Sequence, residues 1–590
     1  LPPRPNRRGA SQAGRWVCRK ERFFETLGVN YSEQRKSVCR FAIRRDIENN
    51  FCQNQLKQFM PTTTIPEKQR AVQLVAPDQL RVNDAKPVFQ PGAHQILCQV
   101  EVCGLCFSDL KLLKQFSGHV RKSEITGGIV PEALAQMPHY VPGDKPVVPG
   151  HETVVRIVKV GPEVKRFKAG ERYLVQTDYR WLPTRNSNSA FGYNFEGALQ
   201  EYVMVDERVI TAPDGESMFI PAPEDLSASA IALCEPWACV EDAYVEKQRQ
   251  TFKRDGKTLI VADGEPKVDG TGKVTYAKPT ALPTGFFDDV IYFGSDAAVA
   301  EKLFTNVGTK GLFVIVQGGK KFGRPVVTAV GRVHYGGIRI TGTAGNNVAD
   351  ALAAIPATAE IRPSDKINII GAAGPMGTMH VIRDLCQGVP NVTIYAGDLS
   401  DERLVALRKL SEPLAQKNKL ALKTYNPSKD KLADKFNYIV LMAPVPALVA
   451  QAVKDASPKA IINIFAGIPA EKTGEIDLDA YIERQCYFIG TSGSTLDDMK
   501  AVLKKVASRQ LDTNLSVAAI AGLDGAVDGI RAVEKNLMPG KIIVYPFAKG
   551  LKLTALTEVG KEHSGVANAL ADGYWNKNAE AALKKEFGAQ

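Results

Sequence analysis

The sequence predicts an α/β chain in which a β-rich half precedes parallel strand–helix–strand units. Three observations predict it. Residues 95–175 hold alternating apolar runs broken by glycine turns, among them "QILCQVEVCG" and "ETVVRIVKV". Residues 365–398 read as strand, glycine turn, helix and second strand. Residues 287–318 align without a gap on 436–467, and both copies read strand, helix, strand.

Bulk composition narrows the classes. A length of 590 residues corresponds to roughly four domains. The net charge of +11 is unevenly placed, because residues 1–59 hold 13 Lys+Arg against five Asp+Glu. The body is nearly neutral, which argues against a nucleic-acid partner. No apolar run reaches the roughly 18 residues of a membrane helix, so no membrane partner is expected. Ten cysteines in such a chain do not form a disulfide framework, and a reducing, cytoplasmic location is expected. Residues 1–59 lack sustained apolar periodicity and precede Met60, the first methionine. They are expected to be a disordered basic tail, translated from upstream of the true start. The alternative is an Arg-rich transit peptide, against which Glu21, Glu25, Glu33, Asp46 and Glu48 argue.

In "QILCQVEVCGLCFSDLKLLKQF", Cys98, Val100 and Val102 alternate on one strand face, Gly104 ends the strand, and Ser108 is a candidate cap of the next helix. The spacing C-x4-C-x2-C imitates an iron–sulfur motif. Cys98 and Cys103 would nevertheless point to opposite strand faces, which disfavours a shared cluster. Cys106 sits in the turn, where a thiolate can be aimed into a cleft; taken alone it reads more readily as a buried free cysteine. "VVPGHETVVRIVKVGPEVKRFKAGERYLV" then sets His151 and Glu152 on a glycine turn before a strand.

"GLCFSD", "PGHETVVRIVKVGPEVKRFKAGERYLV" and the later "GAAGPMG" together resemble the zinc-containing medium-chain alcohol and polyol dehydrogenases. The resemblance implies a GroES-like β-rich catalytic domain and a Rossmann domain. It implies Cys106 and His151 as zinc ligands and, by its sorbitol-dehydrogenase branch, Glu235 of the Glu235-Pro236 pair as the third, with Glu152 as an alternate. Three protein ligands of these types leave a fourth position for water or substrate. Without the resemblance, Glu235 also reads as a helix-start carboxylate favoured by the dipole. No cysteine lies between Glu152 and Cys234, so one catalytic zinc and no structural zinc is expected. Ser108 matches the hydroxyl that accepts the substrate proton, whereas Lys111 replaces the usual relay histidine.

"DKINIIGAAGPMGTMHVIRDL" supplies the dinucleotide turn, with Gly371, Gly374, Pro375, Met376 and Gly377 as cofactor-binding residues. Asp398 ends the second strand at the spacing of a ribose-binding acid, so NAD(H) is expected rather than NADP(H). Arg403 is the residue that would serve a 2′-phosphate. The repeat is read as a duplicated half-Rossmann unit, inserted between the zinc-ligand helix and the cofactor fold. Only the second copy follows a glycine turn and is expected to bind dinucleotide. This long form is most similar to the L-sorbose-1-phosphate reductase group. The expected domains are 1–59 (tail), 60–240 (catalytic, completed by about 511–550), 241–360 (insert), 361–510 (Rossmann) and 551–590 (a helical tail without chemistry).

The resemblance thus implies a zinc-dependent oxidoreductase moving a hydride between NAD(P) and a polyol, sugar alcohol or sugar phosphate. Alternatives are a secondary-alcohol or threonine-type dehydrogenase, a zinc-free quinone-reductase-like enzyme, and a non-catalytic binding protein on the same fold. The partner is a small-molecule alcohol or sugar; assembly, including a homo-oligomer, is left open. For a phosphate group, Arg180 and Arg185 with Asn186, Asn188 and Asn194 are one candidate set, and Arg332 with His334 another. Pairing of the arginines with carboxylates such as Asp178 is the competing reading.

Overall fold

Along Gln95–Gly104 the side chains of Val100 and Val102 are buried while Gln99 and Glu101 are less so, the signature of a strand with one face in a core. In the computed structural model, which describes residues 65–491 and 493–589, this strand is central to an eight-stranded sheet. The sequence readings made for residues 1–59 lie outside the described residues. Glu152–Val160, Arg172–Val175 and Phe219–Pro221 follow on one side. On the other, Tyr202–Asp206 pairs with residues 95–99 and Lys541–Val544 with residues 103–104. Val517–Ala521 and Thr554–Ala555 extend the sheet beyond Lys541–Val544.

Helix α1, Phe107–Gln115, begins two residues earlier than a Ser108 cap would allow. Cys106 is its N-cap, and Asp109 at the third helical position accepts the Cys106 N–H at 3.1 Å. Ser108 is therefore inside the first turn, with its hydroxyl free to face the site. Helix α2, Cys234–Val245, continues from the short helix Ala228–Ala232 and carries Glu235 in its first turn.

The second half contains two parallel sheets. The cofactor-side sheet has six strands in the order Ala421–Tyr425, Thr393–Gly397, Lys366–Ile370, Phe436–Leu441, Ala456–Asn463, Tyr487–Ile489. The chain leaves Lys366–Ile370 to one side and later returns to the other. Its carboxyl end is thus a topological switch point, where ligands of such sheets bind. The inserted sheet has five strands: Lys273–Ala277, Lys257–Val261, Phe287–Phe293, Val307–Val316, Arg339–Thr343. It matches five of the six strands of its partner in order, so the repeat reaches further back than the aligned half-unit at 287–318. The exposed "KVTYA" and the short "KTLIV" gave no periodic signal long enough to extend it. No helix occurs among the described residues between Lys257–Val261 and Lys273–Ala277. The corresponding place in the cofactor sheet holds helix α4, Pro375–Cys386; the insert carries helix α3, Gly331–Tyr335, before its last strand.

The copies meet through a short strand pair and a shared apolar cluster. Val326–Thr328 pairs antiparallel with Gly474–Ile476, with Val327 opposite Glu475. Leu259, Val290, Phe313 and Ile340 share one buried cluster with Ile439, Ile462 and Phe488. The last residues are structural: Glu580, 3% exposed, accepts the Ala228 and Ser229 N–H groups at 2.7 and 2.9 Å. It caps the helix that leads into α2. Among the described residues, no helix is long and apolar enough to cross a membrane.

Candidate functional site

Strand register assembles the site. Gly104 lies opposite Glu152 and Cys103 opposite Thr153, so the turn at Cys106 and the turn at His151 emerge side by side. Cys106, His151 and Glu152 each offer a ligand atom, all within 4.8 Å of one another. His151 Nδ1 lies 3.1 Å from Asp109 Oδ1; the carboxylate only accepts, so the proton is on Nδ1 and Nε2 keeps its lone pair. Ser108 Oγ then donates to His151 Nε2 at 3.1 Å. Burial works against a charge on His151, but the adjacent Asp109 carboxylate outweighs it and raises its pKa, so a cation at Nε2 competes with a proton.

The two carboxylates differ in their surroundings. Glu152 is buried, and Oε1 lies 2.5 Å from Lys541 Nζ, itself buried. Burial disfavours the Lys541 charge, and Glu152 more than offsets this. Glu152 Oε2 is buried with no hydrogen-bond partner among the described residues. That orphaned oxygen, beside a thiol and an imidazole lone pair, fits a cation. Gly104 makes room for it, because a Cβ there would stand 2.2 Å from Glu152 Oε2. Glu235 lies outside the 4.8 Å group but within its field. Burial pushes its carboxyl up to about 7, with His151 pulling the other way. No lysine or arginine pairs with it among the described residues. The cluster thus takes in Glu152 more closely than Glu235, the reverse of the order the resemblance implies.

Next to the cluster is a cleft of about 290 Å³. Ser108, Lys111, Cys239, Met376 and Phe465 line it, so its walls come from α1, α2 and the glycine turn. In that turn Gly371 has φ +86°, and Gly374 N-caps α4 with Pro375 at its first position. A Cβ on Gly377 would lie 2.3 Å from Gly371 O, so only glycine closes the turn this tightly. Asp398 accepts Ala373 N–H at 3.2 Å and Ser400 N–H at 3.1 Å, which pins its carboxylate beside the turn with acceptor capacity left. Arg403 is on the same rim, bonded to Asn536 O at 3.3 Å.

Of the phosphate candidates, Arg332 donates to the carbonyls of Phe304 and Val307 and is structural. Arg180 is shared between Ser494 O and Asp178, Arg185 is exposed, and neither lines the cleft. Asn188 bonds Asp178, and Asn194 accepts from Ser189 and donates to Ser123 O. His334 does line the cleft. Sequence reasoning missed Asp109, whose signal was the capping spacing in "CFSD", and Tyr193, whose ring lies 6.0 Å from that of His151. It also missed Lys541, which arrives only through the strand pairing at Ile543 and Val544.

Residues 92–214 match the family Alcohol dehydrogenase GroES-like domain. The L-sorbose 1-phosphate reductase of Klebsiella pneumoniae is 27% identical over 38% of this chain and 55% of its own length. An alcohol dehydrogenase of Rhizobium meliloti is 26% identical over 37% of this chain and 56% of its own. The chain thus spans little more than half the length of these curated relatives. The solved 2R,3R-butanediol dehydrogenase of Bacillus subtilis is 17% identical, with TM-score 0.49, covering 81% of this chain and 100% of its own. Residues 92–214 thus match the GroES-like domain of alcohol dehydrogenases, and the chain is similar to an alcohol dehydrogenase and to a sugar-phosphate reductase at 26–27% identity.

Proposed function

We propose that the protein is a zinc-dependent, NAD(P)-linked dehydrogenase of a polyol, sugar alcohol or sugar phosphate. The observation that carries this reading is the meeting of two features at one cleft. The Cys106–His151–carboxylate cluster adjoins it on one side, and Met376 of the dinucleotide turn lines it on the other. Cys106 and His151 would hold the metal, with Glu235 as third ligand and Glu152 as the alternate. When bound, the metal supplies a Lewis acid for the substrate oxygen and the nicotinamide a hydride acceptor or donor.

The chain's own residues do the rest. Ser108 Oγ, which lines the cleft 3.1 Å from His151 Nε2 and would be released from that lone pair when the metal takes it, is the hydroxyl placed to take the proton of the reacting alcohol. Lys111 stands where a relay histidine would be, so the proton path beyond Ser108 runs elsewhere. Asp109 orients His151 through Nδ1. Asp398 favours ribose hydroxyls over a 2′-phosphate and so supports NAD(H).

The test is a screen of polyols and sugar phosphates for NADH and NADPH formation by the metal-loaded chain. Turnover of a hydroxyl-rich substrate, abolished by Cys106→Ser, supports the reading. Metal-loaded chain inert toward every alcohol in both directions would contradict it.

A further inference from the structure

The inserted copy reaches into the cleft. Helix α3 carries His334 and Tyr335 to the same cavity as Ser108 and Lys111. The cofactor side is shaped to receive them. A Cβ on Gly490 would lie 2.9 Å from His334 Cα, and one on Gly467 would lie 2.4 Å from the Tyr335 hydroxyl. Neither glycine has a positive φ, so the close approach of α3 accounts for the missing side chains.

His334 Nδ1 lies 3.3 Å from Ile464 O. A carbonyl only accepts, so Nδ1 carries the proton and Nε2 of the neutral ring is an acceptor. Nε2 has no hydrogen-bond partner among the described residues. Burial, helped by the charges of Lys111 and Arg339, holds the ring pKa down at about 4 against the bond to Ile464. Lys111 Nζ lies 5.7 Å from the Tyr335 ring centroid, close enough for a cation–π contact. It pairs with no carboxylate among the described residues. The cleft therefore offers an unused acceptor and an unpaired ammonium, beside the Ser108 hydroxyl. Its volume of about 290 Å³ suits a molecule of sugar size.

We propose that α3 of the inserted copy is the specificity wall of the substrate cleft. His334 Nε2 accepts a hydrogen bond from a substrate hydroxyl other than the one that reacts. Lys111, lodged against Tyr335, receives an anionic group on the same molecule, such as a phosphate ester. The inference rests on the dehydrogenase reading for the reaction but not for binding.

Calorimetric titration of the full chain with glucitol and glucitol 6-phosphate tests it without turnover, and NAD(P)-linked kinetics add a KM-against-kcat split. His334→Phe is expected to weaken both ligands about tenfold, as loss of one hydrogen bond does, and to raise KM more than it lowers kcat. His334→Gln, which restores an acceptor, is expected to recover part of the loss. Lys111→Gln is expected to weaken the phosphate ester about tenfold and glucitol far less. The proposal is overturned if neither ligand binds the wild-type chain. It is also overturned if His334→Phe binds both as well as wild type, if Phe and Gln are equally weak, or if Lys111→Gln affects both ligands alike. Binding effects as expected without any turnover would uphold the wall and remove the dehydrogenase reading. Turnover that ignores all three variants would do the reverse.

Discussion

At the scale of single residues, the two glutamates beside the cluster separate into different tasks. Glu152 already has a cation in Lys541, both partners being buried. Glu235 has none, and a half-buried carboxylate without a partner, its pKa pushed up by its surroundings, is costly unless it is neutralised or binds a cation. Glu235→Gln is therefore expected to lower metal affinity sharply while leaving the metal-free chain as stable as wild type. Glu152→Gln strands Lys541 as an uncompensated buried charge, which costs about 3–5 kcal/mol. Its metal-free chain should melt well below wild type. Calorimetric melting of metal-free chains, with chelator competition for the metal, checks both; a Glu152→Gln chain of unchanged stability contradicts this division. Asp109→Asn keeps the shape but weakens the hold on His151 Nδ1, and a loss of about 10–100-fold in metal affinity is expected in the same competition assay.

At the scale of elements, the glycine turn and α4 form one unit. Gly377→Ala puts a methyl group 2.3 Å from Gly371 O, so the turn must open. NAD(H) affinity, read by NADH fluorescence titration, is expected to fall at least tenfold while the metal content stays as in wild type; unchanged affinity contradicts the assigned turn. What was legible in the sequence follows the same division between local and non-local causes. Cys106, His151, the turn 371–377 and Asp398 stand at strand ends, where glycine and capping residues leave short-range marks. The Asp109 cap was equally local, yet Ser108 in the same turn drew the helix start two residues too far along. Lys541 and Glu580 act across 389 and 352 positions of chain, at Glu152 and at Ala228 respectively, which no local pattern records. The inserted sheet was half legible: its apolar strands 287–293 and 307–316 repeat those of the second copy, while its exposed edge strand 273–277 does not.

At the scale of the whole molecule, burial of uncharged histidines ties stability to pH. His139 is 2% exposed, and neither ring nitrogen has a hydrogen-bond partner among the described residues. Burial pushes its pKa down to about 4. Between about pH 6.5 and about 4 the unfolded chain binds the extra proton, so this contribution is present near neutrality and is lost as the pH falls. By pH 5 the loss is about 2 kcal/mol for this one group. The ring sits 5.6 Å from that of Phe195, an apolar neighbour. His139→Phe should therefore shrink the stability difference between pH 7 and pH 5 by about that amount in urea unfolding. An unchanged difference contradicts the assignment. The central claim is that strand register brings Cys106 and His151 together to hold a metal beside the dinucleotide turn. Elemental analysis of the exhaustively dialysed full chain, with and without Cys106→Ser and His151→Ala, tests it most directly. The expected result is about one zinc per wild-type chain and little in either variant, with NADH binding kept in all three. Zinc-free wild-type chain after expression and dialysis in zinc, or variants that hold as much zinc as wild type, would contradict it.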